Sequence, residues 1–262
     1  MKEPTAAART MLVTVLDRSG RPTVDVGPDD FVIEEGNDER EVLSVQVADY
    51  PVIVMVDNAV DNPEMLEGIR TAVTRFIQRI GQRPVAIATL GEPPTFSAGF
   101  DDDRAAVLKA VDQIRPAADR TLVRPLAALT QAALRIAGLE SSFSVVVVIS
   151  TSPVDPLDVA DADRVAPIVD SGAAVHVIAL RPAGASVDSG PDLYRIVTDQ
   201  TRGQFIPIFS SLSFGIALER LADALSMEIM IDYLVPAGSE PVSPRVGIRV
   251  PGARVRGLGV SR

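Results

Sequence analysis

The hydrophobic pattern changes character twice along the chain. In the first fifty residues, Met11–Leu16 is a short apolar run closed by Asp17-Arg18-Ser19-Gly20. Phe31-Val32-Ile33-Glu34-Glu35 stops at Gly36-Asn37-Asp38, and Val42–Val47 alternates apolar with polar. Short runs divided by turn-forming residues predict strands, here one sheet of a sandwich. Helical spacing is absent from this stretch.

From Pro51 onward the pattern is that of an α/β layer. Val52–Val56 is continuously apolar, as expected of a strand buried on both faces. Pro63 opens a helix with Met65, Ile69, Val73, Phe76, Ile77 and Ile80 at helical spacing, and Gly81 closes it. Val85–Leu90 predicts the next buried strand and Thr95–Phe100 a short edge strand. Asp101-Asp102-Asp103 precedes Val107, Leu108, Val111 and Ile114 and reads as the acidic start of a helix. A calcium loop would need alternating oxygen ligands and a late glutamate that are missing. Leu122–Ala137 follows as a long amphipathic helix and Val145–Ser150 as the most apolar strand. Val159–Val169, Pro191–Gln200 and Ile216–Leu225 predict helices, with strands at Ala174–Leu180 and Phe205–Phe209 between them. Strands alternating with helices imply a mostly parallel, doubly wound sheet covered on both faces.

The last stretch returns to the first pattern. Ile229–Val235, Arg245–Val250 and Arg254–Val260 are strand-like runs separated by Pro/Gly/Ser-rich turns. Both ends being β-type, the expectation is a discontinuous β-sandwich-like unit beside an inserted α/β domain. Residues 1–49 and 228–262 would form the β unit and residues 50–227 the α/β domain.

Composition narrows the chemistry. Twenty-five basic against 35 acidic residues leave a net charge of −10 in 262 residues, which argues against a nucleic-acid partner. Only Lys2 and Lys109 supply lysine, so lysine-dependent phosphate loops and Schiff bases are excluded from most of the chain. The absence of cysteine removes thiol nucleophiles, disulfides and thiolate metal sites. One histidine, His176, makes no multi-histidine metal site. It lies in a strand pattern and reads as a hydrogen-bonded structural residue rather than a base. The longest apolar runs, Val52–Val56 and Val145–Ile149, fall far short of the ~20 residues that span a bilayer, so no transmembrane segment is expected. The first dozen residues lack the apolar core of a leader.

Ligands of an open α/β sheet bind at the carboxyl ends of the strands, near the topological switch point. The loops there hold Asp57, Asn58 and Asp61 after the first buried strand, Thr121 before the long helix, and Ser150-Thr151-Ser152 with Asp155 after the valine-rich strand. All are oxygen donors, which suit a hard cation such as Mg²⁺. A receiver domain would need a further acidic pair and a lysine after a late strand, whereas Lys109 falls on a helix. A haloacid-dehalogenase-type phosphatase would need an acid where Ala59 stands. Nucleophile elbows, phosphate loops ending Gly-Lys-Ser/Thr and Gly-x-Gly-x-x-Gly turns after a strand are all missing. No catalytic residue is assigned.

A buried strand ending in Asp57, a long helix, a threonine at the head of a later helix and a hydroxyl-rich loop after a valine-rich strand resemble a von Willebrand factor A domain. The flanks are similar to a bacterial subgroup of related proteins: Leu12–Asp17, Asp29–Glu35, Asp232-Tyr233-Leu234-Val235-Pro236 and Arg249–Arg256. The resemblance covers nearly the whole chain and rests on order and spacing. It implies a protein-interaction or adhesion module with an unidentified protein ligand, in a secreted, periplasmic or cell-envelope setting. It also implies a metal-ion-dependent adhesion site (MIDAS), Asp-x-Ser-x-Ser with a threonine and an aspartate on two further loops. Carried over, Asp57, Asp61 and Thr121 are the candidate metal ligands, while Asn58, Thr151 and Asp155 join them on a partner-binding face. Ala59 replaces the first serine, Asp61 the second, and Thr151 falls where the third-loop aspartate belongs. The expectation is therefore a degenerate site with no resident cofactor, binding Mg²⁺ only if it is intact, and otherwise with Asp57 and Asp61 capping the following helix. The alternatives are a metal-dependent hydrolase using the Asp57/Asp61 cleft, or a structural subunit of an envelope assembly.

The arginines of the tail, Arg245, Arg249, Arg254, Arg256 and Arg262, read as the solvated faces of edge strands. Phe205, Phe209 and Phe214 read as core.

Overall fold

The structure is a computed structural model that describes residues 6–36, 38–60, 62–91, 93–117, 123–155, 158–159, 161–182, 192–239 and 244–261. The chain divides into two compact units, residues 1–48 with 223–262, and residues 49–222.

The first unit is built by pairing the two ends of the chain. Strand β1 (Ala6–Leu16) runs antiparallel to β12 (Glu228–Pro236), in register from Ala6 opposite Pro236 to Thr14 opposite Glu228. On its other side β1 pairs with β14 (Arg254–Val260), and the short β2 (Pro22–Thr23) joins its end. With β5 (Val42–Val47) at the far edge, the sheet order is β14-β1-β12-β5. A second sheet, β13-β3-β4, comprises Arg245–Ile248, Phe31–Glu35 and Asp38–Arg40. The early strands thus divide between two sheets instead of forming one, because β1 and β5 both flank β12 while β3 turns back on β4. Side chains alternate across a strand, so Met11, Val13 and Val15 of β1 point inward with Ile229, Ile231, Tyr233, Phe31 and Ile33. Arg254 and Arg256 lie exposed on alternate positions of β14, as edge-strand charges should.

The second unit is a six-stranded sheet in the order β11-β10-β9-β6-β7-β8. Its strands are β6 (Val52–Val56), β7 (Val85–Thr89), β8 (Thr95–Ala98), β9 (Val145–Ser150), β10 (Ala174–Leu180) and β11 (Phe205–Ile208). Only β8 is antiparallel, and Pro207 sits on edge strand β11, where a missing N–H costs no ladder bond. The helices are α1 (Pro63–Arg79), α2 (Arg104–Asp112), α3 (Pro125–Ala137), α4 (Ala166–Asp170), α5 (Leu193–Gln200) and α6 (Ser213–Ser226). Ile53, Met55, Val146, Val148, Val175 and Val177 form one face of the sheet and pack with Leu129, Ala132, Ile168 and Tyr194 from α3, α4 and α5. The opposite face carries Val52, Val54, Val147, His176 and Ile178, all buried. Helices α1 and α2 pack against each other and α2 against β7, and an Arg75–Glu219 pair at 3.8 Å joins α1 to α6. Among the described residues no helix is long and apolar enough to cross a membrane.

Two predicted helices are shorter than their apolar spacing suggests. The helix expected over Leu122–Ala137 begins at Pro125, since Val123 is instead held in a parallel bridge to Val154. The stretch Val159–Val169 is not one helix. A 3₁₀ turn at Ala162–Val165 leads into α4, with Pro167 unable to donate an N–H to the preceding turn.

Candidate functional site

Strand β6 continues to β7 on one side of the sheet, whereas β9 continues to β10 and β11 on the other. The order reverses between β6 and β9, and their carboxyl ends hold Asp57 and Ser150-Thr151-Ser152 side by side. The Asp57 N–H donates to Ile149 O at 2.8 Å, extending the pairing of the two strands by one residue.

Asp57 is fully buried, yet every part of its carboxylate is engaged. Oδ1 accepts the Ala59 N–H at 2.9 Å. Oδ2 accepts the Thr151 N–H at 2.9 Å, the Thr151 hydroxyl at 2.9 Å and the Ser152 N–H at 2.8 Å. The Ser152 hydroxyl returns to Ala59 O at 3.2 Å. Below this belt the buried Tyr194 hydroxyl donates to Ser150 Oγ at 3.1 Å, and burial pushes the phenol well above its ordinary value. The loops after β6 and β9 are therefore closed on each other by one internal carboxylate.

Of the other described candidates, neither Asn58 nor Asp155 bonds to Asp57. Asn58 donates from Nδ2 to Arg115 O and accepts the Ala117 N–H on its carbonyl, both at 2.8 Å, and so holds the 115–117 segment. Asp155 lies beside Arg124, whose Nε is 3.9 Å from its carboxylate and 3.3 Å from that of Asp158. Asp158 also accepts the Leu126 N–H at 2.8 Å, capping α3 from a distance, and burial raises its pKa. Asp61 and Thr121 lie outside the described residues. The cap of α1 is neither Asp57 nor a second aspartate but Asn62, which accepts the Glu64 N–H at 2.8 Å, with Pro63 at the first helical position.

The donor set can be tested against a divalent cation. Ala59 has no side-chain oxygen, Thr151 spends its hydroxyl proton on Asp57, and three donors already occupy Oδ2. Oδ2, accepting three hydrogen bonds, has no lone pair left to offer a metal, and Oδ1 is shared with the Ala59 N–H. Among the described residues no three His, Cys, Asp or Glu side chains are grouped closely enough to hold an ion. Asp57, Ala59 and Thr151 alone therefore do not supply the near-ideal octahedron of six oxygens that Mg²⁺ requires, and Asp61 and Thr121 lie outside the described residues.

A cleft of about 660 Å³ opens at the same strand ends. Thr151 and Pro153 form part of its lining, with Leu180, Arg181 and Phe209 from the ends of β10 and β11 and Met65 from α1. Phe209 is not core: it is 54% exposed, and the exposed apolar surface continues through Leu212 at 88% and Ile216 at 56%. Only Phe214 is fully buried, and Phe205 is partly covered. The buried stripe of α6 is Phe214, Ala217, Leu218, Leu221, Ala222 and Leu225, at helical spacing. Ile216 falls off that stripe, a signal already present in the sequence. Arg181 donates its N–H to Ile208 O at 2.8 Å, and its guanidinium pairs with Asp192. A second cleft, of about 630 Å³ beside the start of α3, is lined by Arg124, Arg164, Asp158 and Asp161, whose charges pair internally.

No protein-family model matches the sequence, and none of the curated proteins matches it by sequence. Solved structures match the fold at low identity. A von Willebrand factor type A protein from Catenulispora acidiphila aligns with 100% of this chain and 74% of its own, at 11% identity and TM-score 0.53. The PilB minor pilin from Streptococcus sanguinis covers 70% of this chain over 62% of its own, at 9% identity and TM-score 0.53. Proximal thread matrix protein 1 from the mussel byssus, with a zinc-occupied MIDAS motif, covers 78% of this chain over 49% of its own, at 12% identity and TM-score 0.55. The protein has the von Willebrand factor A fold.

Proposed function

We propose that the protein is a non-enzymatic interaction module that binds a protein ligand through the cleft at the strand ends, and that its metal-ion-dependent adhesion site is degenerate. The engagement of Asp57 carries this reading. The acid that a cation would need is committed to three backbone N–H groups and one hydroxyl, and Thr151 supplies two of those donors from the position where the adhesion site has an aspartate. The same engagement speaks against a metal-dependent hydrolase, because a buried, hydrogen-bonded carboxylate is neither a free base nor a free ligand. Phe209, exposed in the wall of the cleft, with the exposed Leu212 and Ile216 following it in the chain, supports protein contact, since exposed large apolar side chains of this kind mark interaction sites when they group on a surface. A secreted or envelope setting is inferred from the likeness to a minor pilin and to a byssal matrix protein.

The test is calorimetric titration of chelator-stripped protein with Mg²⁺ and with Mn²⁺, beside Asp57→Ala. No saturable heat up to millimolar metal is expected. Saturable binding that disappears in Asp57→Ala would restore an intact adhesion site and overturn the metal-free reading.

A further inference from the structure

The lining of the strand-end cleft has a definite chemical bias. Among the described residues that line it, Arg181 is the one charged side chain, and Asn62, Ser210 and Ser211 can donate hydrogen bonds, whereas Thr151 has already given its hydroxyl proton to Asp57. The described lining thus presents a guanidinium, paired on one side with Asp192, beside several hydrogen-bond donors, in a chain whose net charge is −10. One wall carries an apolar group, Phe209, and two further exposed apolar side chains, Leu212 and Ile216, follow it in the chain at the start of α6. Arg181 is fixed in place. Its backbone is bonded to β11, its guanidinium lies 5.4 Å from the Phe205 ring centre, and the Asp192 that pairs with it is itself held as the cap of α5 by the Tyr194 N–H at 3.0 Å.

Resting on the interaction reading above, we infer that the ligand is a peptide segment of a partner protein that carries a large apolar side chain beside a carboxylate. The apolar side chain packs on Phe209, and the carboxylate is received by Arg181 with the hydroxyls of Ser210 and Ser211. A guanidinium carries five N–H donors in a planar fork suited to carboxylates, so one bound aspartate does not exhaust it. A rigid cation in a partly enclosed cleft gives such a segment orientation as well as affinity. Asp57 takes no part beyond shaping the loop that presents Thr151.

The experiment is selection of a phage-displayed library of random linear peptides on the whole protein in the presence of a chelator. Enriched sequences are then synthesised and their affinities measured against the wild type, Arg181→Gln, Arg181→Lys and Phe209→Ser. Enriched peptides should pair Leu, Ile, Phe or Trp with Asp or Glu. They should lose about tenfold or more in affinity to Arg181→Gln, recover part of it in Arg181→Lys, and fail on Phe209→Ser. Thermal melts establish that each variant folds. Should Arg181→Gln not fold, Arg181→Lys and the salt dependence of wild-type binding carry the test, and salt-independent binding would reject the carboxylate. Peptides without acids, or peptides bound equally by Arg181→Gln, overturn the carboxylate and leave the cleft as an apolar docking site. Binders indifferent to Phe209→Ser overturn the cleft itself, and with it the interaction reading. No enrichment above an unrelated control protein overturns the linear peptide while leaving a folded partner.

Discussion

Thr151 donates both its backbone N–H and its hydroxyl to a single oxygen of Asp57, each at 2.9 Å. The two residues end strands on opposite sides of the switch point, so this contact fixes the relative position of the loops that form the cleft. A buried carboxylate is tolerable because its charge is met by several N–H donors, each stronger for meeting an ionised acceptor.

Asp57→Ala should destabilise the protein by about 2 to 3 kcal/mol, because it leaves the N–H groups of Ala59, Thr151 and Ser152 without their acceptor in a partly buried site. Thr151→Val removes one hydroxyl and should cost about 1 to 2 kcal/mol. Urea unfolding measures both. Equal losses in the two variants would show that the backbone donors contribute little.

In the β unit, Arg9 and Tyr233 are register partners on adjacent strands, and Glu35 reaches them from the other sheet. Its carboxylate pairs with Arg9 and accepts the Tyr233 hydroxyl at 3.1 Å, and burial together with that acid pushes the phenol up to about 12. Glu35→Ala should cost about 3 to 5 kcal/mol because a buried guanidinium loses its partner. The triple replacement Arg9→Met, Glu35→Leu and Tyr233→Phe should recover most of that loss, since it removes the buried ions and the hydroxyl together, leaving Arg40 without the acid 3.8 Å away. If the triple variant is as unstable as the single one, the network contributes through its geometry instead.

The alternation of Met11, Val13 and Val15 and the unbroken valines of β6 and β9 were legible because burial of one or two strand faces writes itself directly into side-chain type. The pairing of the chain ends followed from the same strand-like spacing at both termini. The division of the early strands between two sheets did not, since β3 and β5 have similar apolar content and only the turns decide their partners. Within the site, Asp57 could be singled out, but its partners could not. They are mostly main-chain N–H groups, and loop conformation, which brings them there, leaves little trace in residue type. Phe209 was misread as core because an apolar strand end looks the same whether covered or not. Ile216, off the buried stripe of α6, was the readable clue to that surface.

Gly203 marks a close approach that no other residue could make. A methyl group built on it would lie 1.7 Å from the carbonyl oxygen of Val175, where backbone cannot yield. The preceding Arg202 adopts φ 64°, a left-handed turn that brings the chain from α5 back into β11. Gly203→Ala should therefore cost more than about 3 kcal/mol, beyond the usual range for one added methyl group in a core, or prevent folding altogether. Arg202→Gly should be neutral or slightly stabilising through relief of its positive φ, offset by loss of the 2.9 Å bond from its guanidinium to Gly172 O. Thermal melts of the pair distinguish crowding at 203 from turn strain at 202, and a tolerant Gly203→Ala would refute the close approach.

His176 should make the fold sensitive to acid. It lies on β10 with its side chain on the face opposite Val175 and Val177, and burial pushes its pKa down to about 4. Its Nδ1 has no hydrogen-bond partner among the described residues, in place of the hydrogen-bonded role expected from its strand setting. The folded protein thus keeps the ring neutral while the unfolded chain begins to protonate it near the ordinary value of about 6.5. The unfolded state binds the extra proton between these two values, so stability falls as pH drops from about 6.5 to about 4 and this contribution is constant outside that window. The full difference amounts to about 3 kcal/mol. Carboxylates also titrate toward the lower end, so the decisive comparison is with His176→Leu. Urea midpoints of the wild type should decline between pH 7 and pH 5, where the variant's stay nearly flat. Parallel declines in the two proteins would mean that His176 is not held neutral and that acid sensitivity arises elsewhere.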